Sequence, residues 1–419
     1  LYIASKYDRL KVTRLLLENG AQVDKAMNDG VTPLFIASQK GNLKIIRLLL
    51  KSGAQVDKAD NDGATPLLIA SQEGHLEIVR LLLENGAKVD KATNDGVTPL
   101  KMASQNSHLE IVRLLVRNGA QVDKATNEGG TPLFIASQHG HLKIIRFLIE
   151  NGAQVNKALN QGATPLYIAS QNDHLKTIQL LLERDAQIDK ATNDGLTPLF
   201  IASHNGHLEI VQFLVGKGAQ VNKANNDGAT PLMIASLQGH LEIVRLLLEN
   251  GAQLDKVIKN GSTPLIIASH QNHLVIVRLL LENGAQVDKA MNNGATPLYF
   301  ASQDGRLEIV RLLVENKAQV DKADKNGTTP LFIASQHGHL KIIRFLIENG
   351  AQVNKARNHG VTPLIVASHQ NHLGIVRLLL ENGAQTDNVT TRGFTALSQA
   401  KKKRNNEIVK LLIEHGAKK

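Results

Sequence analysis

Polar and apolar positions alternate along this chain in one fixed rhythm, of which Met27 to Ala59, MNDGVTPLFIASQKGNLKIIRLLLKSGAQVDKA, is an example. Asn28, Asp29 and Gly30 form a turn signal, with glycine free to take positive φ. Thr32 is a helix N-cap type, and Pro33 suits the first helical position, where its missing N–H removes no bond. The spacing predicts a short first helix through Leu34, Ile36, Ala37 and Ser38, broken at Gly41. A second helix from Leu43 would gather Ile45, Ile46, Leu48, Leu49 and Leu50 on a broad apolar face, closed by Gly53 as a left-handed cap. The unit therefore reads turn, helix, helix, turn.

The rhythm has a period of 33 residues. Thr-Pro-Leu begins at Thr32, Thr65, Thr98, Thr131, Thr164, Thr197, Thr230, Thr263, Thr296, Thr329 and Thr362, and these triplets hold all eleven prolines. A twelfth copy, at Thr395, reads Thr-Ala-Leu. Residues 131–158 recur unchanged as 329–356, six periods later, as in-register copying would leave them. Neither helix can bury its apolar face within one unit, so stacking must form the core, and stability should sum over repeats and their neighbours. A single array over 1–419 is expected: a truncated first repeat at 1–26, eleven interior repeats at 27–389 and a C-terminal capping repeat at 390–419. In that last copy Lys401 takes the Ser38 position and Asn406 the Leu43 position, giving the polar outer face a terminal cap requires. Leu1, Ile3, Ala4 and Leu10 continue the core pattern, which raises the expectation of further repeats or another domain upstream. Asp185 and Lys317 stand where the other second helices end in glycine, and Lys317 marks the place where the array should open first.

The string Gly-x-Thr-Pro-Leu-x-x-Ala-Ser-x-x-Gly-His-Leu-x-x-Val-x-x-Leu-Leu-x-x-Gly-Ala, as from Gly63 to Ala87, resembles the ankyrin repeat over essentially the whole chain. The resemblance implies an all-α repeat solenoid of stacked helix-turn-helix units, with β-hairpin fingers and a curved superhelical course. It also implies a concave surface made by fingers and first helices, and protein binding as the usual activity. Two positions depart from the family pattern: the residue after Thr-Pro-Leu is mostly apolar here rather than His, and the second Ala of an Ala-Ala pair is Ser.

That apolar position holds Phe35, Leu68, Lys101, Phe134, Tyr167, Phe200, Met233, Ile266, Tyr299, Phe332, Ile365 and Ser398 in successive copies. In the family's geometry it faces the groove, so Phe134, Tyr167, Phe200, Met233, Ile266, Tyr299 and Phe332 are candidates for an apolar stripe that grips an extended partner. The alternative is that they tuck between neighbouring first helices; Lys101 and Ser398 speak against a strict core position. Further along the same helix the Gln39 position reads His204, Leu237 and His270 in consecutive copies, adding three groove candidates. Finger tips run from acidic (Asp29, Asp62, Asp95, Glu128, Asp194, Asp227) to neutral or basic (Asn260, Asn293, Asn326, His359, Arg392). That gradient either orients a partner or reflects free variation on a solvated turn.

Composition narrows the chemistry. With no cysteine, disulfides and thiolate metal sites are excluded, and a reducing compartment, the cytoplasm, is the default. No apolar run approaches the roughly 20 residues of a membrane span. The net charge of +10 invites a nucleic-acid reading, but residues 391–419 hold eight Lys or Arg against two Glu, leaving the body nearly neutral. A basic stripe along one face is the footprint of a nucleic-acid binder, and this is not one. The basic cap Lys401, Lys402, Lys403 and Arg404 also has the character of a short nuclear import signal, although capping alone accounts for it. Nine of the sixteen histidines, His75 and His141 among them, fill the Gly-His-Leu position, where an imidazole can bond local backbone, and no ligand spacing suggests a metal or other cofactor. Lys58 and its counterparts follow Asp or Asn, so their charges should cancel against these neighbours. No phosphate loop or nucleophile elbow appears, and every acid/base pair repeats with the period, so no enzyme and no small-molecule substrate is expected. The leading expectation is a non-catalytic scaffold binding another protein, by an extended segment or a domain surface, along groove and fingers. The alternative is an elastic tether or targeting arm of a larger protein with its effector upstream of Leu1. Binding of nucleic acid or an anionic membrane through the basic cap is the weakest reading.

Overall fold

A computed structural model describes residues 1–418; Lys419, the last residue of the expected capping repeat, lies outside the described residues. Among the described residues twenty-six α-helices follow one another in thirteen pairs, with one 3-10 turn at Asn358–Gly360. The chain divides into two compact units, residues 1–202 and the part from Ser203 onward.

The first unit shows how the sequence builds a pair. Thr32 adopts extended backbone, and its Oγ1 accepts from Phe35 N–H at 3.1 Å to start the helix Pro33–Lys40. Gly41 ends that helix at φ 80°, and Leu43–Lys51 follows. Leu34, Ala37, Ile45, Ile46 and Leu49 are wholly buried, while Lys44 and Arg47 face water. The serine that replaces the family's alanine is also buried. Ser38, Ser71, Ser104 and Ser137 donate to the carbonyl four residues back in their own helices, so the hydroxyl is satisfied without a partner from outside. First helices lie against the first helices of adjacent repeats, and second helices against second helices.

The second unit repeats this construction, except that the buried Ser269, Ser302 and Ser368 hydroxyls have no partner among the described residues. Thr263, Thr329 and Thr362 cap their helices with the same bond, and Leu331, Ala334, Ile343 and Leu346 form the same buried layer. Lys401 and Asn406 are exposed.

The fingers differ from the β-hairpins the resemblance implied. Among the described residues no segment forms a strand. Each finger is a five-residue loop closed on itself: Asp60 N–H donates to Ala64 O at 3.0 Å, and Asp60 Oδ1 accepts from Ala64 N–H at 2.8 Å. Thr93, Thr126, Asn225 and Asp324 close their loops in the same way. The chain turns too tightly for a paired ladder to extend.

Asp185 and Lys317 take φ of 63° and 66°, as the missing glycines required. A Cβ at the equivalent Gly53 or Gly86 would meet nothing within 4 Å, so the cost at Lys317 is purely one of backbone conformation. Lys317→Gly should therefore stabilise the protein by about 1 kcal/mol, read as a higher urea midpoint. Hydrogen exchange should place residues near Lys317 among the first to open; finding them among the most protected would refute this.

Candidate functional site

The proposed groove row comes out of the structure mostly as core. Phe134, Tyr167, Phe200, Met233, Ile266 and Phe332 are each at most 8% exposed. The reason is visible around Phe134, which packs with Ala163 and Tyr167 under Leu159 and Leu196. The finger of the following repeat folds over the ring before any partner can reach it. Phe332 is covered similarly by Arg357, whose guanidinium lies 5.5 Å from the ring centre. These six residues, expected as a gripping stripe, are therefore structural in position. Burial, reinforced by Asp194 and Asp324 respectively, raises the phenol pKa of Tyr167 and of the half-buried Tyr299.

Lys101, which had argued against a core position, is an accommodated exception. Gly130 stands in the next finger where other copies carry Ala or something larger; a Cβ there would lie 3.8 Å from Lys101 Cε and 3.1 Å from Thr126 Oγ1. The half-buried Lys101 ammonium has its pKa lowered by burial and partly restored by Glu128.

Four candidates stay accessible: Tyr299 and His204 are half-buried, while Leu237 and His270 are exposed. His204 is within 3.2 Å of Gln238, and His270 Nδ1 lies 2.7 Å from Asp304 Oδ2, with Phe300 against its ring at 5.4 Å. Leu237, 36% exposed, has no polar role and stands open between them in sequence. All six acidic tips, Asp29, Asp62, Asp95, Glu128, Asp194 and Asp227, are exposed. Asp227 meets Lys259 Nζ at 2.8 Å on a solvated surface, a pair worth about 0–1 kcal/mol.

What holds these tips in place was not read from the sequence. Asn61 N–H donates to Asp29 O at 3.0 Å, and Asn61 Nδ2 donates to Asn28 O at 3.0 Å. The same two bonds recur from Asn94, Asn127, Asn160 and Asn193 to the finger before each, an asparagine ladder through the first unit. In the second unit Asn292 and Asn358 keep both rungs, while Lys259 and Lys325 keep only the backbone one. The signal was present as an Asn at 33-residue spacing from Asn28 to Asn226, and again at Asn292 and Asn358, hidden by the ordinary use of Asn in turns.

Two other side chains differ from expectation in the same direction. His75 Nε2 contacts Gln39 O at 3.1 Å, a carbonyl of the preceding repeat rather than local backbone, and His108, His141, His174, His240 and His339 do likewise. Lys58 Nζ donates to Asp24 O at 3.2 Å, again one repeat back, while the Asp24 carboxylate accepts from Gln55 N–H. Lys58 is thus a main-chain clamp, not a charge cancelled by its neighbour. His139 stacks on His141 at 5.7 Å, and burial followed by the charges of His141 and His174 lowers its pKa. Among the described residues no group of His, Asp or Glu is arranged to hold a metal, and no helix is long and apolar enough to cross a membrane.

Two substitutions separate these roles. Lys101→Leu should stabilise the protein at pH 7, since the folded state disfavours the ammonium; the gain should shrink as the pH rises toward the ordinary lysine value of 10.5, where the wild-type side chain sheds its charge. Urea unfolding at several pH values tests this, and a gain independent of pH would refute it. Asn127→Ala should lower stability by about 0.5–1.5 kcal/mol, with intact helicity by circular dichroism.

A family model described as "Ankyrin repeats (3 copies)" matches the chain in eleven overlapping stretches, from 1–93 at one end to 354–419 at the other, without a gap. Comparison with curated proteins gives no match. Among solved structures, the human ASB11 ankyrin repeat domain aligns at 28% identity and a TM-score of 0.49, covering 53% of this chain and 99% of that one. With its 33-residue period and capped helix pairs matched by the model from end to end, the chain belongs to the ankyrin repeat family.

Proposed function

We propose that the chain is a non-catalytic module that binds a partner protein through its finger tips and the open positions of its first helices. Ankyrin repeats are in general protein–protein interaction modules. The observation that carries the reading here is the contrast within each finger. The main chain is tied to the finger before it, while the tip side chains are exposed to water and vary from copy to copy. A rigid display of variable side chains loses little conformational entropy when a partner binds. Leu237, with His204 and His270 in the flanking copies, supplies the least polar part of the open first-helix row. The acidic tips Asp62, Asp95 and Glu128 favour a basic complementary surface on the first unit. A chain without cysteine suits a reducing compartment such as the cytoplasm.

The test uses the full chain immobilised against a cell extract, with each captured protein then purified and titrated. Changing Asp62, Asp95 and Glu128 together to Lys should weaken at least one such complex about tenfold, a loss of about 1.4 kcal/mol. Circular dichroism should show unchanged helicity. If every complex is indifferent both to this variant and to Leu237→Ser, binding does not run through tips and first helices.

A further inference from the structure

The last two repeats depart from the array. The position before the helix-capping Thr, filled by Val31, Ala64, Val97, Gly130 and other small or aliphatic residues, is Phe394 here. Phe394 is 40% exposed, and Val389 in the same finger is 56% exposed. Ile365 and Val366 of the preceding first helix are still buried, but the Phe394 ring itself stands out at the surface. It forms one wall of an open cavity of about 250 Å³, whose floor is Val361, Ile365 and Val366. That is below the roughly 300–1,000 Å³ of a cofactor-sized pocket, and suits a single large side chain.

The rim of this cavity is cationic. Lys402 lines it, with its Nζ 6.0 Å from the Phe394 ring centre. Lys401, Lys403 and Arg404 are exposed at the end of the same helix, and Arg392 occupies the tip of the finger that carries Phe394. Among the described residues, the ion pair of this segment joins Lys410 to Glu414 and uses none of these five cations. Apolar floor, aromatic wall and the Lys402 cation meet in one place, with four further exposed cations close by in the chain.

We propose that this cavity docks an acidic, extended segment of a partner protein, which inserts one large aliphatic or aromatic side chain beside Phe394 while its carboxylates face Lys401, Lys402, Lys403 and Arg404. The proposal rests on the protein-binding reading above and gives it a second, separate contact of stated chemistry. The buried Ile365 and Val366 supply the hydrophobic contact, and the mobile lysine side chains supply attraction that salt should screen. Charge complementarity selects an acidic segment over a basic one.

The test titrates the full chain into a fluorescein-labelled eleven-residue peptide, a central Leu flanked by Glu and Asp, followed by anisotropy. Binding should be saturable and should weaken about tenfold, equivalent to about 1.4 kcal/mol, in three cases: Phe394→Ser, Lys402→Glu with Arg404→Glu, and a peptide carrying Ser for Leu. Phe394 and the two cations are exposed, so these variants should keep their helicity. No saturable binding would overturn the proposal. So would a loss seen with the charge variants but not with Phe394→Ser or the Ser peptide. If in that case a single-stranded oligonucleotide binds more tightly than the peptide, the rim is a polyanion surface. If binding survives Phe394→Ser but is lost with Leu237→Ser, the cap site falls while the first-helix reading stands.

Discussion

Successive repeats are joined by side chains that reach main-chain atoms about one period away. Asn61 reaches Asn28 O, Lys58 reaches Asp24 O, Asp24 receives Gln55 N–H and His75 meets Gln39 O. Apolar burial supplies most of the driving force, but it is non-directional, and a Leu/Ile/Val row tolerates small slips. Hydrogen bonds do not tolerate them, because their geometry weakens steeply with misalignment. One inserted residue would put all these links out of step together. The constancy of the period over eleven prolines is therefore a constraint set by polar links around an apolar core.

That constraint also decides where a partner can touch the protein. Because each finger is drawn onto the one before it, the residues beneath it are shut away, and an aromatic such as Phe134 becomes packing. Where the finger residue is Gly130, the position beneath holds the half-buried Lys101. Where it is Phe394, Ile365 beneath stays buried and the ring itself forms one wall of a cavity.

The local grammar was legible in the sequence. Thr32 and Pro33 announced the first helix, Leu43 the second, and Lys317 the strained end, and each stands where its residue type put it. The groove was less legible, because a single repeat does not reveal what the next finger covers. Phe134 looks the same in sequence whether Ala163 and Leu159 lie over it or not. The same limit hid the roles of His75 and Lys58. Their residue types suggested local partners, whereas their acceptors belong to another turn of the pattern, 36 and 34 residues away. Leu237 was the easier case, since nothing in its neighbourhood asks for a leucine and it remains at the surface.

The finger-tip asparagine, lysine and histidine links share a polarity: the later repeat brings the N–H group and the earlier one offers the carbonyl. Asn156, Asn222 and Asn354 donate the other way, to Asp185 O, Gly251 O and Gly383 O. The two faces of a repeat are therefore unlike, one richer in donors and the other in acceptors. Such a stack grows by a one-way rule. During synthesis, which proceeds from the N-terminus, each emerging repeat arrives with donors for acceptors that are already in place, so the direction of translation and the direction of docking coincide.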